Sequence, residues 1–338
     1  MKRKVITLLA VLIVLGGIIM LMYPVVSNRQ FQKSQQELIS YYENQVQEIP
    51  AEEIDSMWDS CREYNESLLS SKVVLTDPFD TEDSAMEEHP YIDLLNQNGD
   101  GAMCSLEIPA VGCKLVVYHY TTEDVLAKGV GHLQGTSLPV GGTGTHAVLS
   151  GHTGTADKEL FTNLDQVRIG DVFYIHVLGE ILAYQVDNKS VVLPDETEGL
   201  YIDSEKDLVT LVTCTPYGVN SHRLLVRGTR IPYEEAKEIE KSMGKAKKNT
   251  WKSQYFYAIL IGIAVSVMII ILIVTVYQRI GKKQGKTDKQ KAETDKNKPE
   301  TDKTKPDAEV KKQNTDSDSI DAENKGDEGR QENEKKDS

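Results

Sequence analysis

Residues 208–214 read LVTLVTC, residues 215–222 read TPYGVNSH, and an arginine then opens a second apolar run, RLLVRGTRI, over 223–231. The first run is rich in Val, Leu and Thr and ends on a cysteine, which predicts a strand over Leu208–Thr213 with Cys214 at its tip. Pro216 has no N–H to donate to a ladder, so it closes the strand. Gly218 and Asn220 then supply a turn. With Leu224–Ile231 as the return strand, a hairpin sets Arg223 beside Cys214. A thiol at a strand end is held on a rigid element yet open to substrate; the alternative is a buried structural thiol, the commoner fate of a free cysteine.

The same texture extends upstream. Ser105–Pro109, Lys114–Tyr118, His146–Ser150, Val172–Val177 and Leu182–Asp187 are short β-rich runs separated by Gly, Pro and Asn turns. Regular short strands with turn signals predict a mostly β domain over 91–232, a closed antiparallel barrel or a sandwich rather than alternating βα units.

Farther out the composition changes twice on each side. Residues 28–72 are rich in Gln, Glu, Leu, Ser and Tyr and read as a helical stalk of two helices between membrane and domain. Pro50 followed by Glu52 and Glu53 marks one helix start. Val5–Val26 is an apolar run behind Lys2, Arg3 and Lys4. About 20 apolar residues suffice to cross a bilayer, so residues 1–27 read as an anchor, with a cleaved signal peptide as the alternative. A second uncharged run, within 255–277, precedes Arg279, Lys282, Lys283 and Lys286; it reads as a second transmembrane helix, with a buried core helix as the other option. Basic residues beside both spans predict both termini in the cytoplasm and the middle segment outside the cell. Residues 233–254 read as a helical linker. The tail, 278–338, is too polar to bury a core and reads as disordered.

The chain of 338 residues carries 52 acidic and 38 basic side chains, net −14, which argues against a nucleic-acid partner. Cys61, Cys104, Cys113 and Cys214 form no CxxC pair, so neither a disulfide framework nor a zinc site is indicated. If one is catalytic, at least one other is free or bonded between chains.

A thiol nucleophile needs a proton partner and an oxyanion donor. Of seven histidines, His152 is singled out because it follows the run Ala147–Ser150 between Gly151 and Gly154, where a barrel rim would present an imidazole; a solvent-facing turn histidine is the alternative. His89, His119, His132, His146, His176 and His222 lie in loops or within predicted strands. Arg223 offers fixed, always-charged donors, whereas Arg227 and Arg230 read as surface strand arginines.

These features together resemble the sortases. Thr210-Leu211-Val212-Thr213-Cys214 followed by Arg223 matches their TLxTC…R signature, and Leu149-Ser150-Gly151-His152 matches their histidine motif. Residues 131–139, 160–165 and 213–218, with the two flanking spans, look like class C, the pilus-building branch; the likeness covers roughly 70 to 232. Asp77-Pro78-Phe79 resembles the class C lid, here 73–90, which implies that Asp77 pairs with Arg223 and that Phe79 covers Cys214. Cys104 and Cys113 lie outside the family pattern. The resemblance implies a sortase-type β-barrel that needs no cofactor or metal. Cys214 is then the nucleophile, His152 the proton donor and Arg223 the oxyanion partner. The implied reaction cleaves an LPxTG-like sorting signal through a thioester and passes the acyl group to a lysine amine of a pilin. The rival readings are a sortase that anchors surface proteins to cell-wall peptide and a non-enzymatic membrane-anchored scaffold. A papain-like peptidase is a third option, against which stand its missing cysteine motif and a nucleophile carried on a helix rather than a strand.

Overall fold

The protein is described here by a computed structural model covering residues 2–71, 73–80, 91–155, 157–243, 257–276 and 278–279. Most of the lid with His89 (81–90), the linker beyond 243 and the tail from 280 lie outside the described residues.

In chain order the strands are β1 (Ala102–Ile108), β2 (Cys113–His119), β3 (Val130–His132), β4 (Thr145–Ser150), β5 (Thr153–Thr155), β6 (Lys158–Leu160), β7 (Val172–Val177), β8 (Glu180–Val192), β9 (Asp207–Thr215) and β10 (His222–Ile231). Eight close into a barrel in the order β1–β2–β3–β4–β9–β10–β8–β7, and β5 pairs with β6 as a separate hairpin. The barrel is mixed rather than purely antiparallel as expected: β2–β3 and β4–β9 are parallel. Their connections explain this. Residues 120–129, which carry the short helix α3 (Glu123–Leu126), and residues 151–206 are long enough for crossovers, whereas a tight hairpin enforces antiparallel pairing. β3, β5 and β6 have three residues each, too short to show an alternation. β8 runs past the expected end at Asp187 because its later part keeps pairing with β10, out to Arg223 opposite Val192.

The interior is filled by side chains such as Leu106, Leu115, Leu149, Leu211 and Val226, with Phe173 stacked on Tyr184 at 5.5 Å. Gly228 lies against that stack: a Cβ there would stand 2.5 Å from the Phe173 ring, so only glycine fits, and the β8–β10 register shifts at this point.

Register defines two barrel ends. One carries the C-terminal ends of β4, β8 and β9, the start of β10 and the β1–β2 turn; the other carries the β7–β8 turn and the starts of β4 and β9. The N-terminal helices are not a stalk standing clear of the domain, as the composition suggests. α1 (Lys2–Glu48) is one continuous helix through Pro24, and its second half lies on the barrel. Ile39 packs with Ala102, Val116 and Tyr118. Gln35 accepts from the Val116 N–H at 2.9 Å and donates to the Lys128 carbonyl at 3.0 Å, and Tyr42 donates to the Met103 carbonyl at 2.8 Å. Burial of Ile39, Tyr42 and Val46 contributes on the order of several kcal/mol, enough to hold a helix that a polar stalk composition would leave free.

α2 (Ala51–Ser70) starts directly after Pro50 with Glu52 and Glu53 in its first turn, as read from the sequence. Its Asn65 bonds both backbone groups of Leu138, at 2.7 and 3.2 Å. Leu69 at its end lies beside Gly144, just before β4. α4 (Tyr233–Met243) buries Ala236 against Val172, Tyr174 and Ala183. α5 (Tyr257–Val276) and the apolar part of α1 are long and apolar enough to cross a membrane. Side chains such as Ile261, Met268 and Leu272 are largely exposed, so α5 is no buried core helix.

Candidate active site

The three side chains singled out in the sequence come to one end of the barrel. Cys214 and Arg223 are direct partners across the β9–β10 ladder, which realises the hairpin expected from their spacing. His152 follows β4, whose pairing with β9 brings Ser150 opposite Val212. The turn holding it is tied to the cysteine strand on both sides. The Gly151 N–H donates to the Val212 carbonyl at 3.0 Å, and Thr213 Oγ1 donates to the Gly151 carbonyl at 2.6 Å. Thr153 Oγ1 lies 3.0 Å from Thr213 Oγ1 and donates to the Cys214 carbonyl. Sequence reading quoted Thr213 only as part of the cysteine motif and did not single out Thr153, because hydroxyls tying a turn to a distant strand leave no local signature. Gly151 is required by packing: a Cβ would meet the Phe161 ring at 2.9 Å, and the Phe161 N–H donates to the His152 carbonyl at 3.0 Å.

Asp77 and Phe79 lie across the pair. Asp77 takes two bonds from the guanidinium, Nε to Oδ1 at 2.9 Å and Nη2 to Oδ2 at 2.6 Å, with both side chains nearly buried. The remaining nitrogen, Nη1, donates to the Asn220 and His222 carbonyls. The Phe79 ring sits 5.0 Å from the guanidinium carbon and 5.8 Å from the His152 ring, so it fills the space between arginine and histidine. The segment leading to it is held by Leu75, whose N–H donates to Tyr201 Oη at 3.4 Å.

Cys214 is 8% exposed. Burial pushes its thiol above the ordinary value, and the Asp77 carboxylate pushes the same way, against the lowering pull of Arg223. Burial is the largest single influence on Arg223 and works against its charged form, but the Asp77 bonds together with the Cys214 and Asp77 charges more than offset it, so its pKa is raised. His152 Nε2 lies 3.4 Å from the exposed Glu123 carboxylate on α3, a neighbour the sequence did not suggest.

The other described histidines do different work. His132, expected in a loop, is fully buried in β3, with Nε2 donating to the Ser137 carbonyl and Nδ1 facing Tyr91 Oη, each at 2.8 Å. Burial pushes it down to about 4. His146 is buried between the Tyr201 carbonyl and Thr210 Oγ1. His119 bonds the Gly101 and Leu94 carbonyls. His176 pairs with Glu107 at 3.3 Å, and His222 faces Ser221. All four cysteines are buried free thiols, and burial raises Cys61, Cys104 and Cys113 to about 12 or beyond, which leaves them inert beside Cys214.

Comparison with known proteins agrees with this arrangement. Residues 106–231 match the Sortase domain family. The structure is similar to that of sortase C1 of the group B streptococcus pilus island 1, at 43% identity, a TM-score of 0.52, and coverage of 59% of this chain and 93% of that one. It is also similar to sortase C of Streptococcus pneumoniae, at 41% identity, a TM-score of 0.54, and coverage of 58% and 97%. Sortase A of Bacillus anthracis is 25% identical over 227 residues, spanning 67% of this chain and 95% of that protein. With a closed eight-stranded barrel, a cysteine and an arginine in register at its end and over two-fifths identity to sortase C structures, the chain belongs to the sortase family of cysteine transpeptidases, in its class C branch.

Proposed function

We propose that the chain joins pilin subunits by transpeptidation, with Cys214 as nucleophile, Arg223 as oxyanion donor and His152 as proton carrier. The observation that carries this is the placement of Arg223 directly opposite Cys214 on adjacent strands, beside a histidine turn bonded to the same strand end. The Cys214 thiolate attacks the Thr–Gly carbonyl carbon of an LPxTG-like signal, and Arg223 holds the developing oxyanion. The C–N bond breaks as protonated His152 gives its proton to the leaving amine, and a thioester remains. A lysine amine of the next subunit attacks the thioester, loses a proton to His152 and expels the thiolate, forming an isopeptide bond. Neither Nε nor Nη2 of Arg223 is available while Asp77 occupies them, so turnover requires residues 73–80 to leave the site.

The basic residues beside the two spans favour both termini in the cytoplasm and the barrel outside the cell. Within this reading residues 1–27 and 255–277 anchor, 73–90 form the lid, 91–232 carry the chemistry, 233–254 link to the second span and 278–338 form the cytoplasmic tail. The test is to incubate the protein with an LPxTG peptide and look for a Cys214-linked acyl adduct by mass spectrometry. The adduct is expected, and is expected to vanish in Cys214→Ala. Purified pilin should then yield a covalent ladder; attachment only to a cell-wall peptide amine would overturn the pilin acceptor.

A further inference from the structure

α1 leaves its apolar run at Val26 and reaches the barrel two residues later. Asn28 Nδ2 donates to Glu159 Oε2 at 3.1 Å, and its Oδ1 accepts from the Glu159 N–H at 2.9 Å. Glu159 belongs to the hairpin that follows His152, and two residues on, the Phe161 N–H bonds the His152 carbonyl at 3.0 Å. From there the helix descends past Val116, Tyr118 and Met103 and ends with Val46 beside Gly179, in the β7–β8 turn at the opposite barrel end. Asn28 to Val46 spans roughly 27 Å of helix. The Cys214 end therefore lies nearest the apolar run and the other end farthest from it. Successive bonds keep the His152 carbonyl within on the order of 20 Å of Val26. Pro24 inside the helix allows a kink of order 20°, too small to exchange the two ends.

A second, independent observation lies on the same end. Tyr217 and Val219 on the β9–β10 turn are 58% and 69% exposed, and Val191 and Leu193 at the end of β8 are 58% and 45% exposed. Apolar side chains and tyrosine are costly in open water but at home among lipid headgroups.

We propose that the barrel end carrying Cys214, His152 and Arg223 faces the bilayer, with the β9–β10 turn and the end of β8 resting at the headgroups. This rests on the reading that Val5–Val26 spans the membrane and Cys214 is the nucleophile. The thiol then works at the membrane surface, and a substrate is favoured by how closely its scissile bond is held to the lipid. α1 acts as the spacer that sets this height.

The test uses the full chain in phosphatidylcholine–phosphatidylglycerol vesicles containing a headgroup-nitroxide lipid. A coumarin amino acid replaces Tyr217 or Val219 at the near end, or Glu180 or Glu205 at the far end; all four are exposed, and two sites per end guard against one folding failure. Quenching at 217 and 219 is expected to exceed that at 180 and 205 roughly threefold or more, as headgroup depth dictates. Equal quenching, stronger quenching at the far end, or none at any site would overturn the proposal. If the apolar rim instead serves only to bind peptide, quenching at 217 will be no greater than at 180 and 205 while soluble LPxTG peptide alone changes the emission at 217, which also overturns it. Forming the Cys214 adduct with that soluble peptide separates the two readings. An adduct without polarised quenching removes only the orientation, and polarised quenching without an adduct removes only the proposed chemistry.

Discussion

Of the three arginines on strand β10, Arg223 and Arg227, four residues apart, each grip an aspartate with two nitrogens. Arg223 holds Asp77 at 2.9 and 2.6 Å, and Arg227 holds Asp187 at 3.0 Å on both arms. Their settings differ. Asp187 comes from the neighbouring strand β8, one residue from the ladder partner of Arg227, and that pair is about one-third exposed. Asp77 comes from a segment outside the barrel, and its pair is about one-eighth exposed, against Phe79 and next to the Cys214 register position. The same fork thus serves as a strand-to-strand tie in one place and, within the proposed function, as a removable plug over the nucleophile in the other. Side-chain type alone does not assign the role; the origin of the partner does.

The sharpest way to break this contrast is truncation. Arg223→Ala should lower kcat/KM for peptide cleavage about 10²–10³-fold, as loss of an oxyanion donor does, while Arg227→Ala should stay within about twofold. Equal losses would make Arg223 merely structural. Arg223→Lys keeps the charge but not the fork, so it should still cost roughly tenfold or more, while Arg227→Lys should be silent.

A stability baseline separates fold from site. His132 is neutral and buried, with its pKa pushed down to about 4 from an ordinary value of 6.5. His146 is also shifted down, first by burial. The unfolded chain binds these protons and the folded chain resists them, so stability is present above about pH 6.5 and is lost as pH falls toward 4. Thermal melts should therefore drop across pH 6.5–4, by a few kcal/mol, in wild type and in both arginine variants alike. A flat profile would contradict the buried neutral assignment.

Opening the plug is the next test. Asp77→Ala with Phe79→Ala removes a carboxylate that raises the Cys214 thiol and a ring that shields the site. The alkylation rate at neutral pH should rise roughly tenfold and its pH profile should shift to lower pH. Asp187→Ala should change neither. The smallest expected effect is on stability: Arg227→Ala should cost no more than about 1 kcal/mol in denaturant melts, and less at high salt, as for other partly exposed pairs.

Much of this site was legible in the chain because its signals are local. Val172–Val177 matches the observed strand end to end, and the Cys214–Arg223 pairing follows from one strand, one short loop and one return strand. The Asp77 bridge was legible only through family likeness, since an Asp-Pro step by itself reads as a turn. The parallel pairings and the three-residue strands were hidden because a short run carries no period and a crossover leaves no mark in either strand. The expected stalk failed for a related reason: Gln35, Tyr42 and Asn65 look like polar surface residues, yet they serve as bonds to barrel backbone.

Composition and periodicity alone determined that the chain has two apolar spans, a β-rich middle, and a cysteine and an arginine facing each other across a hairpin. These properties depend on neighbours within about ten residues, where strand alternation and apolar length act directly. Only the tertiary structure decided that His132 is buried in β3 against Tyr91, that Gln35, Tyr42 and Asn65 bond distant backbone, and that α1 meets the barrel at the end carrying Cys214. Those outcomes join segments far apart in the chain. They rest on the burial and hydrogen-bond satisfaction of particular side chains, which no local pattern contains.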